Sequence, residues 1–294
     1  MSTSSAPILV PVDFSPSTEH TLEHAIMLAS TYQTGIVLMH AIETHFSGFN
    51  LADLALHSDS RENAIYQLVE TRLKKRAEEL NKKGIVAEYR IDYGAVHKTI
   101  ANTAEEIGAA FIVVGAHGQS GFEEFLIGSN SFRLCATAPC PVITVPKNED
   151  LYTHSYATIV MPIDTSFYTR QKVRLTADLA EKFAAHVHVF GVSVEDDAES
   201  MHHVRIITKQ VGEYLSNRGI AHTLNEAFGN NITDATMVYA KAVNADLISI
   251  MTEQEPSIRS LIMGEFAQQM INRAPIPVLS LRPHEMSNTA EFSM

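Results

Sequence analysis

Short apolar runs alternate with longer amphipathic segments along the chain. Residues 8–12 are apolar throughout and have the length of a strand, which is typical of a parallel strand buried on both faces. Residues 18–32 instead repeat apolar side chains at helical spacing, and they follow Ser15, Pro16 and Ser17, which favour the start of a helix. The pattern therefore predicts a strand followed by a helix.

The same alternation continues to residue 145. It predicts strands over 36–41, 85–91, 110–114 and Val142–Val145, and helices over 63–82, 96–107 and 131–136. Strands that alternate with helices form a parallel sheet with right-handed crossovers and helices on both faces. Ligands of such sheets bind at the carboxyl ends of the strands, so the turns after Val12 and Val114 are the candidate site.

The second half of the chain repeats the first. Residues 8–13 (ILVPVD) recur 151 residues later as IVMPID, and residues 138–142 (APCPV) recur 136 residues later as APIPV. The sequence thus predicts two tandem α/β domains, 1–150 and 151–294, each with a five-stranded parallel sheet and helices on both faces. The repeat units themselves span 6–147 and 155–283, joined by a short polar connector, and the polar tail after residue 283 is expected to fray.

The two repeats differ in length near their middle. Gly84 recurs at Gly219, only 135 residues later, so the first repeat carries about 16 extra residues, which lie around positions 43–60. That stretch contains several residues that favour loops, and we expect it to form a long loop or lid after the second strand.

A glycine motif follows the fourth predicted strand, at Val114. It has the pattern G-x2-G-x9-G-S and comprises Gly115, His117, Gly118, Gly128, Ser129, Asn130 and Ser131. Glycine lets the backbone turn tightly and approach a ligand, and amides at a helix N-terminus bind anions without any Lys or Arg. The two serines add hydroxyl donors. Paired glycines after a strand are also compatible with ordinary turn chemistry, but here they meet other polar residues at one sheet edge.

Asp13 ends the first predicted strand. Its carboxylate can accept hydrogen bonds from a ribose or a base, or help to hold a divalent cation with phosphates. The alternative is that Asp13 only caps the helix that follows.

The acidic overall charge of the chain makes some classes of binding partner unfavourable. The formal net charge is −12, and an acidic surface disfavours binding to nucleic acids and to anionic membranes. No signal peptide or membrane span is visible, and the two cysteines, Cys135 and Cys140, form no disulfide framework, so we expect a cytoplasmic protein. His186 and His188 form a His-x-His pattern that can bind metal, although no Cys or carboxylate spacing accompanies it.

These residues together resemble the universal stress protein family. The resemblance rests on residues 8–13, the glycine motif with its nine-residue spacer and the closing APCPV segment, and it covers nearly the whole chain as a tandem member. It implies a Rossmann-like fold of the adenine nucleotide alpha hydrolase-like type and binding of ATP, with or without Mg²⁺. It also implies that Pro11, Val12 and Asp13 line the adenine and ribose, that main-chain groups of Ala41 contact the base, and that the glycine motif holds the ribose and phosphates. The family pairs its last strands in dimers, which makes Val142–Val145 and Val278–Leu281 the expected seam of an internal pseudo-dimer; a homodimer is also open.

The second repeat departs from the motif. Met251, Gln254, Glu265 and Ala267 replace Gly115, Gly118, Ser129 and Ser131, whereas Asp164 and Gly264 are retained. The larger side chains occupy space that a ribose would need, and the Glu265 carboxylate repels phosphate. We therefore expect ATP in the first repeat only. The second repeat would then stabilise the first or bind an uncharged ligand.

Three functions compete. The first is a stress or regulatory protein whose nucleotide state alters its binding to protein partners. The second is a slow ATPase, for which His117 is the one candidate base in the motif, although an exposed loop histidine is more often simply solvated. The third is a nucleotide-independent module for a small apolar ligand or a protein. Met251, Met263 and Met270 would line its pocket, unless they only pack in the core.

Overall fold

A computed structural model describes residues 6–43, 51–116, 129–147, 155–193, 198–229, 231–253 and 263–283, with the backbone alone for 51–62 and 129. The first repeat contains β1 (Ile8–Pro11), α1 (Ser17–Tyr32), β2 (Ile36–Ile42), α2 (Leu51–Lys82), β3 (Ala87–Tyr93), α3 (Val96–Glu106), β4 (Phe111–Gly115), α4 (Ser129–Thr137) and β5 (Val142–Val145). The second contains β6 (Thr158–Ile163), α5 (Lys172–Phe183), β7 (His186–Ser193), α6 (Ala198–Asn217), β8 (His222–Phe228), α7 (Ile232–Ala242), β9 (Leu247–Met251), α8 (Glu265–Arg273) and β10 (Val278–Leu281).

The strands of both repeats form one continuous sheet. Its order within the described residues is β3-β2-β1-β4-β5-β10-β9-β6-β7-β8. The pairs inside each repeat are parallel, and β5 pairs with β10 antiparallel, with Ile143 opposite Leu279. This antiparallel pair confirms the predicted seam. The strand order reverses at β1 in the first repeat and at β6 in the second, which places a switch point in each.

Two hydrophobic clusters cover the two faces of the sheet. Ile8, Val10 and Val12 point to the cluster that includes α1 and α2, whereas Leu9 points to the cluster that includes α4. Each cluster runs on into the second repeat, so the repeats share their cores. This alternation explains why β1 is apolar at nearly every position.

A buried polar pair also joins the repeats. His24 of α1 lies 3.1 Å from the hydroxyl of Tyr156, which precedes β6, and both side chains are buried. Burial, with a smaller contribution from His20, lowers the pKa of His24 to about 4. The ring is therefore neutral at physiological pH.

The expected loop over residues 43–60 is wrong from residue 51 onward. Helix α2 begins at Leu51, a dozen residues before the predicted start, and residues 44–50 lie outside the described part of the chain. The reason is local: residues 51–56 read LADLAL and contain no glycine or proline, so their helix propensity is high.

The third strand also starts later than predicted, at Ala87. The Asn81 side chain accepts a hydrogen bond from the Ala87 amide at 3.1 Å and donates one to its carbonyl at 2.9 Å. These bonds tie the end of α2 to the start of β3, so residues 85 and 86 serve as the connection.

Candidate functional site

A cavity of about 520 Å³ opens at the carboxyl ends of β1, β2 and β4, beside the first turn of α4. This volume is in the range of small-molecule sites. The cavity lies at the switch point of the first repeat, where the topology predicts a ligand. Predicted site residues that line it are Pro11, Val12, Asp13, Ala41, Gly115, Asn130 and Ser131.

The structure gives less information on the other residues of the glycine motif. His117, Gly118 and Gly128 lie outside the described residues. Ser129 is described as the first residue of α4, with its backbone only. The structure therefore brings together both ends of the motif, Gly115 and the start of α4, at one cavity.

Asp13 bonds to its own chain just before α1, but it is not the N-cap of that helix: the N-cap is Pro16, with no side-chain capping hydrogen bond. Its Oδ1 accepts hydrogen bonds from the Ser15 amide at 3.0 Å and from the Thr18 hydroxyl at 2.9 Å, so it secures the start of α1. Asp164 repeats this arrangement in the second repeat, where the Ser166 amide donates to its Oδ1 at 3.0 Å. The two repeats thus share the hydrogen bond from an aspartate to the amide two residues further on, and Asp13 also lines the cavity.

The Ser131 hydroxyl is not directed at a ligand. It donates its hydrogen to the Gly115 carbonyl at 2.8 Å, and the side chain is buried. A hydroxyl has one hydrogen to donate, so the expectation that Ser131 donates to phosphate needs correction. In this structure Ser131 instead fastens the start of α4 to the end of β4.

The sequence analysis missed several cavity-lining side chains, among them the aromatic and basic ones Phe14, His40 and Arg72. Phe14 directly follows the β1 aspartate, His40 lies on β2 and Arg72 on α2. Position-by-position comparison of the repeats gives a signal for them, because their counterparts are Thr165, Gly191 and Ile207.

The rest of the cavity is largely apolar. Its floor and walls include Met39, Val69, Val96, Ile100 and Leu134. Its polar and charged lining residues are Asp13, Ser17, Thr18, Thr21, His40, Glu43, Arg72, Asn130 and Ser131. A largely apolar cavity with a small number of polar groups suits a ligand that has both a hydrophobic and a polar part.

At the equivalent position in the second repeat, helix α6 packs closely against β7. A Cβ built on Gly191 would lie 2.7 Å from Thr208 Oγ1 and 2.7 Å from Val204 Cγ1. Both side chains are buried, and the Thr208 hydroxyl has no hydrogen-bond partner among the residues that the structure describes. The absent side chain at Gly191 thus lets α6 rest directly on β7, where β2 of the first repeat carries His40.

The start of α8 is also occupied by the protein itself. The Gly264 amide donates to the Thr252 carbonyl at 2.8 Å, and Gln269 donates to the Glu265 carboxylate at 2.8 Å. Met251, Met263 and Met270 are buried at 2%, 1% and 0% exposure, which favours their interpretation as core residues.

A buried lysine replaces Thr21 in the second repeat. Lys172 donates from Nζ to the Thr169 carbonyl at 2.7 Å, and burial lowers its pKa to about 8, partly offset by Asp164. The Thr169 hydroxyl in turn contacts the Asp164 amide. Polar side chains of the chain itself therefore occupy this edge of the second repeat.

The described cysteines and histidines are not arranged to bind a metal ion. Cys135 is buried and Cys140 partly buried, both are free thiols, and burial raises the pKa of each to about 12. His186 and His188 instead contact Thr223 and Tyr239. Within the described ranges, no group of three or more His, Cys, Asp or Glu side chains is placed to hold a metal ion.

The fold and the cavity define a tandem α/β protein of Rossmann-like topology with a ligand-sized site at one switch point. The model of the universal stress protein family matches residues 5–146 and again residues 155–282. The chain therefore belongs to the universal stress protein family. In the described residues no helix is long and apolar enough to cross a membrane.

Similar proteins cover either one repeat or both. Universal stress protein YxiE of Bacillus subtilis is 30% identical over 143 residues, which are 47% of this chain and 97% of that protein. A universal stress protein of Methanocaldococcus jannaschii is 26% identical over 152 residues, 48% of this chain and 94% of its own. A crystal structure of a universal stress protein from Archaeoglobus fulgidus covers 95% of this chain and 97% of its own, with a TM-score of 0.75 and 19% identity. At that identity the likeness shows the tandem fold.

Proposed function

We propose that this chain binds ATP, or a closely related adenine nucleotide, in its N-terminal repeat only, and that it acts as a regulatory protein of the stress response. The observation that carries the proposal is the cavity at the first switch point, where β1, β2, β4 and the start of α4 converge. Membership of the universal stress protein family supports the regulatory role.

The start of α4 is the proposed phosphate site. The first amides of a helix have no partner within the helix, and the helix dipole favours an anion there. Asn130 and Ser131, in the first turn of α4, line the cavity. The Ser131–Gly115 hydrogen bond holds this turn beside β4. The phosphates are thus bound by main-chain amides, with Gly118, Gly128 and Ser129 completing the proposed turn.

The apolar part of the cavity is the proposed site for the nucleoside. Val12 and Ala41 line it from the ends of β1 and β2, and Asp13, which also lines it, is the proposed partner of a ribose hydroxyl. We infer that any Mg²⁺ arrives with the nucleotide, because Oδ1 of Asp13 already accepts two hydrogen bonds from the chain itself.

The C-terminal repeat has a structural role in this proposal. It extends the sheet through the β5–β10 pair and shares both cores with the first repeat. Helix α6 rests on Gly191, and Glu265 places a carboxylate in the first turn of α8. Both features oppose nucleotide binding at the second switch point.

Substitutions at Ser129 test the proposal with a matched pair of variants. Ser129→Glu copies the carboxylate of the second repeat, and Ser129→Gln has nearly the same size without the charge. Isothermal titration should show that the Glu variant binds ATP roughly 100-fold more weakly than the Gln variant, because a carboxylate there repels phosphate. Adenosine should bind both variants equally. Equal ATP affinities for the two variants would place the phosphates elsewhere.

A further inference from the structure

Strand β8 forms one edge of the sheet within the described residues, and β3 forms the other. We propose that the β8 edge joins two copies of this chain, which pair antiparallel through β8 about a two-fold axis at Leu224. This interface is independent of the proposed nucleotide site, because β8 and the cavity lie on opposite sides of the β5–β10 seam.

The hydrogen bonds at the two ends of β8 show which of its main-chain groups face away from β7. The Val187 amide donates to the Ala221 carbonyl at 2.9 Å. At the other end, the Gly229 amide donates to the Ser193 carbonyl at 3.1 Å. In a parallel pair every second residue bonds to the neighbouring strand, so the odd-numbered residues of β8 bond to β7. The amides and carbonyls of the even-numbered residues point outward and form a template for a further strand. These residues are His222, Leu224, Glu226 and Phe228.

The first repeat blocks the start of its own edge strand, β3. The Asn81 side chain bonds to both the amide and the carbonyl of Ala87. Both groups face away from β2, because the carbonyl of the preceding Val86 is the one that bonds to β2. The counterparts of Asn81 and Ala87 in the second repeat are Ser216 and His222. Serine lacks the amide that forms this bridge, so Ser216 does not protect the β8 edge in the same way.

The side chains of β8 also favour a further strand. Leu224 and Phe228 are 41% and 47% exposed, and Leu224 lies against Gly212 on the face that α6 covers. Because side chains alternate along a strand, Phe228 shares that face. Charged side chains usually protect an edge, but the one carboxylate of β8, Glu226, is paired with Arg205 at 3.0 Å. The edge therefore presents apolar surface without an unpaired charge of its own.

Cross-strand pairs select the register of the proposed interface. With the two-fold axis at Leu224, this leucine faces Leu224 of the second copy, and His222 faces Glu226. An axis at Glu226 would place two carboxylates opposite each other, and an axis at Asn225 would place Glu226 opposite Leu224. Of these three registers, the one at Leu224 pairs apolar with apolar and gives the carboxylate a polar partner.

The molecule already uses this mode of assembly once. The last strands of its two repeats, β5 and β10, pair antiparallel and make one continuous sheet. A β8–β8 pair would extend the sheet in the same way, with α6 of both copies on one face. Two strands of 7 residues make a small interface, so we expect a dissociation constant on the order of 10 μM.

Sedimentation velocity of the full chain across this concentration range tests the interface. The wild type should change from monomer to dimer as its concentration rises. Leu224→Lys should weaken the dimer at least about tenfold, because two ammonium groups would face each other across the axis. Val238→Lys is the matched control: it makes the same change of charge at a 70% exposed position of the same repeat, on α7, and should dimerise as the wild type does.

Oxidative cross-linking tests the position of the axis. Leu224→Cys should form a covalent dimer, because the two introduced thiols lie opposite each other. Glu226→Cys should not, because in this register the two copies of that residue are about 14 Å apart. The wild-type chain controls for its native thiols.

Three results would overturn the inference. They are a wild-type chain that stays monomeric at several hundred micromolar, a dimer that Leu224→Lys and Val238→Lys affect equally, and cross-linking of Glu226→Cys in place of Leu224→Cys. None of them would touch the proposed function, which titration of Leu224→Lys with ATP checks separately. That variant should bind ATP as tightly as the wild type.

Discussion

A single methyl group at Gly191 tests whether α6 packs closely against β7 in the second repeat. In Gly191→Ala the new Cβ would lie 2.7 Å from both Val204 Cγ1 and Thr208 Oγ1, about 1 Å inside ordinary van der Waals contact. Because Val204 and Thr208 are buried, neither can move into solvent. Overpacking of this kind costs about 1–3 kcal/mol, so the melting temperature should fall by several degrees.

Thermal and urea unfolding measure the effect, and a double-mutant cycle locates it. Val204→Ala removes one of the two clashing groups, so Gly191→Ala should cost clearly less in that background than alone. Gly229→Ala is the control, because the nearest atom to its new Cβ would be the Ala235 Cβ at 3.3 Å, a much milder contact than the 2.7 Å contacts at Gly191. A neutral Gly191→Ala, or costs that simply add in the double variant, would refute the claim that α6 rests on this glycine.

Three further predictions concern the shared core and the thiols. Folding lowers the pKa of His24 from 6.5 to about 4, so the free energy of unfolding should fall by about 3 kcal/mol as the pH drops through this range. Urea titrations at different pH values should show a smaller fall for a His24→Leu, Tyr156→Phe double variant. An unchanged fall in that variant would assign the pH dependence to other groups. Leu279 lies opposite Ile143 in the seam, and Leu279→Ala should lower the free energy of unfolding by about 2–5 kcal/mol and destabilise both repeats together. Two separate unfolding transitions, with one repeat lost before the other, would argue against a shared core. Cys135 and Cys140 should resist alkylation at pH 8 in the native protein and react after denaturation, because burial raises the pKa of each thiol to about 12. Rapid alkylation of either thiol in the native protein would contradict this prediction.

The order of elements was predictable from the sequence because it depends on local patterns, whereas the seam was expected only from the family resemblance. Apolar runs of strand length mark β1, β4 and β5, and the repeated APCPV and APIPV segments mark the paired last strands. The first turns of α2 were missed since the prediction weighed a few loop-favouring residues above the high helix propensity of residues 51–56.

The candidate site was only partly predictable, because part of it depends on contacts between distant residues. The ends of the glycine motif line one cavity, as their spacing indicated. Phe14, His40 and Arg72 are far apart in sequence and meet only when α2 folds over β2. The Ser131–Gly115 hydrogen bond and the close approach of α6 to Gly191 likewise arise from tertiary packing, which no local pattern specifies.

The central claim is that one repeat binds an adenine nucleotide and the other does not. Native mass spectrometry of gently purified protein, titrated with ATP, measures this directly as the number of nucleotides held per chain. The account predicts saturation at one nucleotide per chain, with the signal lost in Ser129→Glu. Two equivalent nucleotides per chain, or none at any concentration, would contradict it.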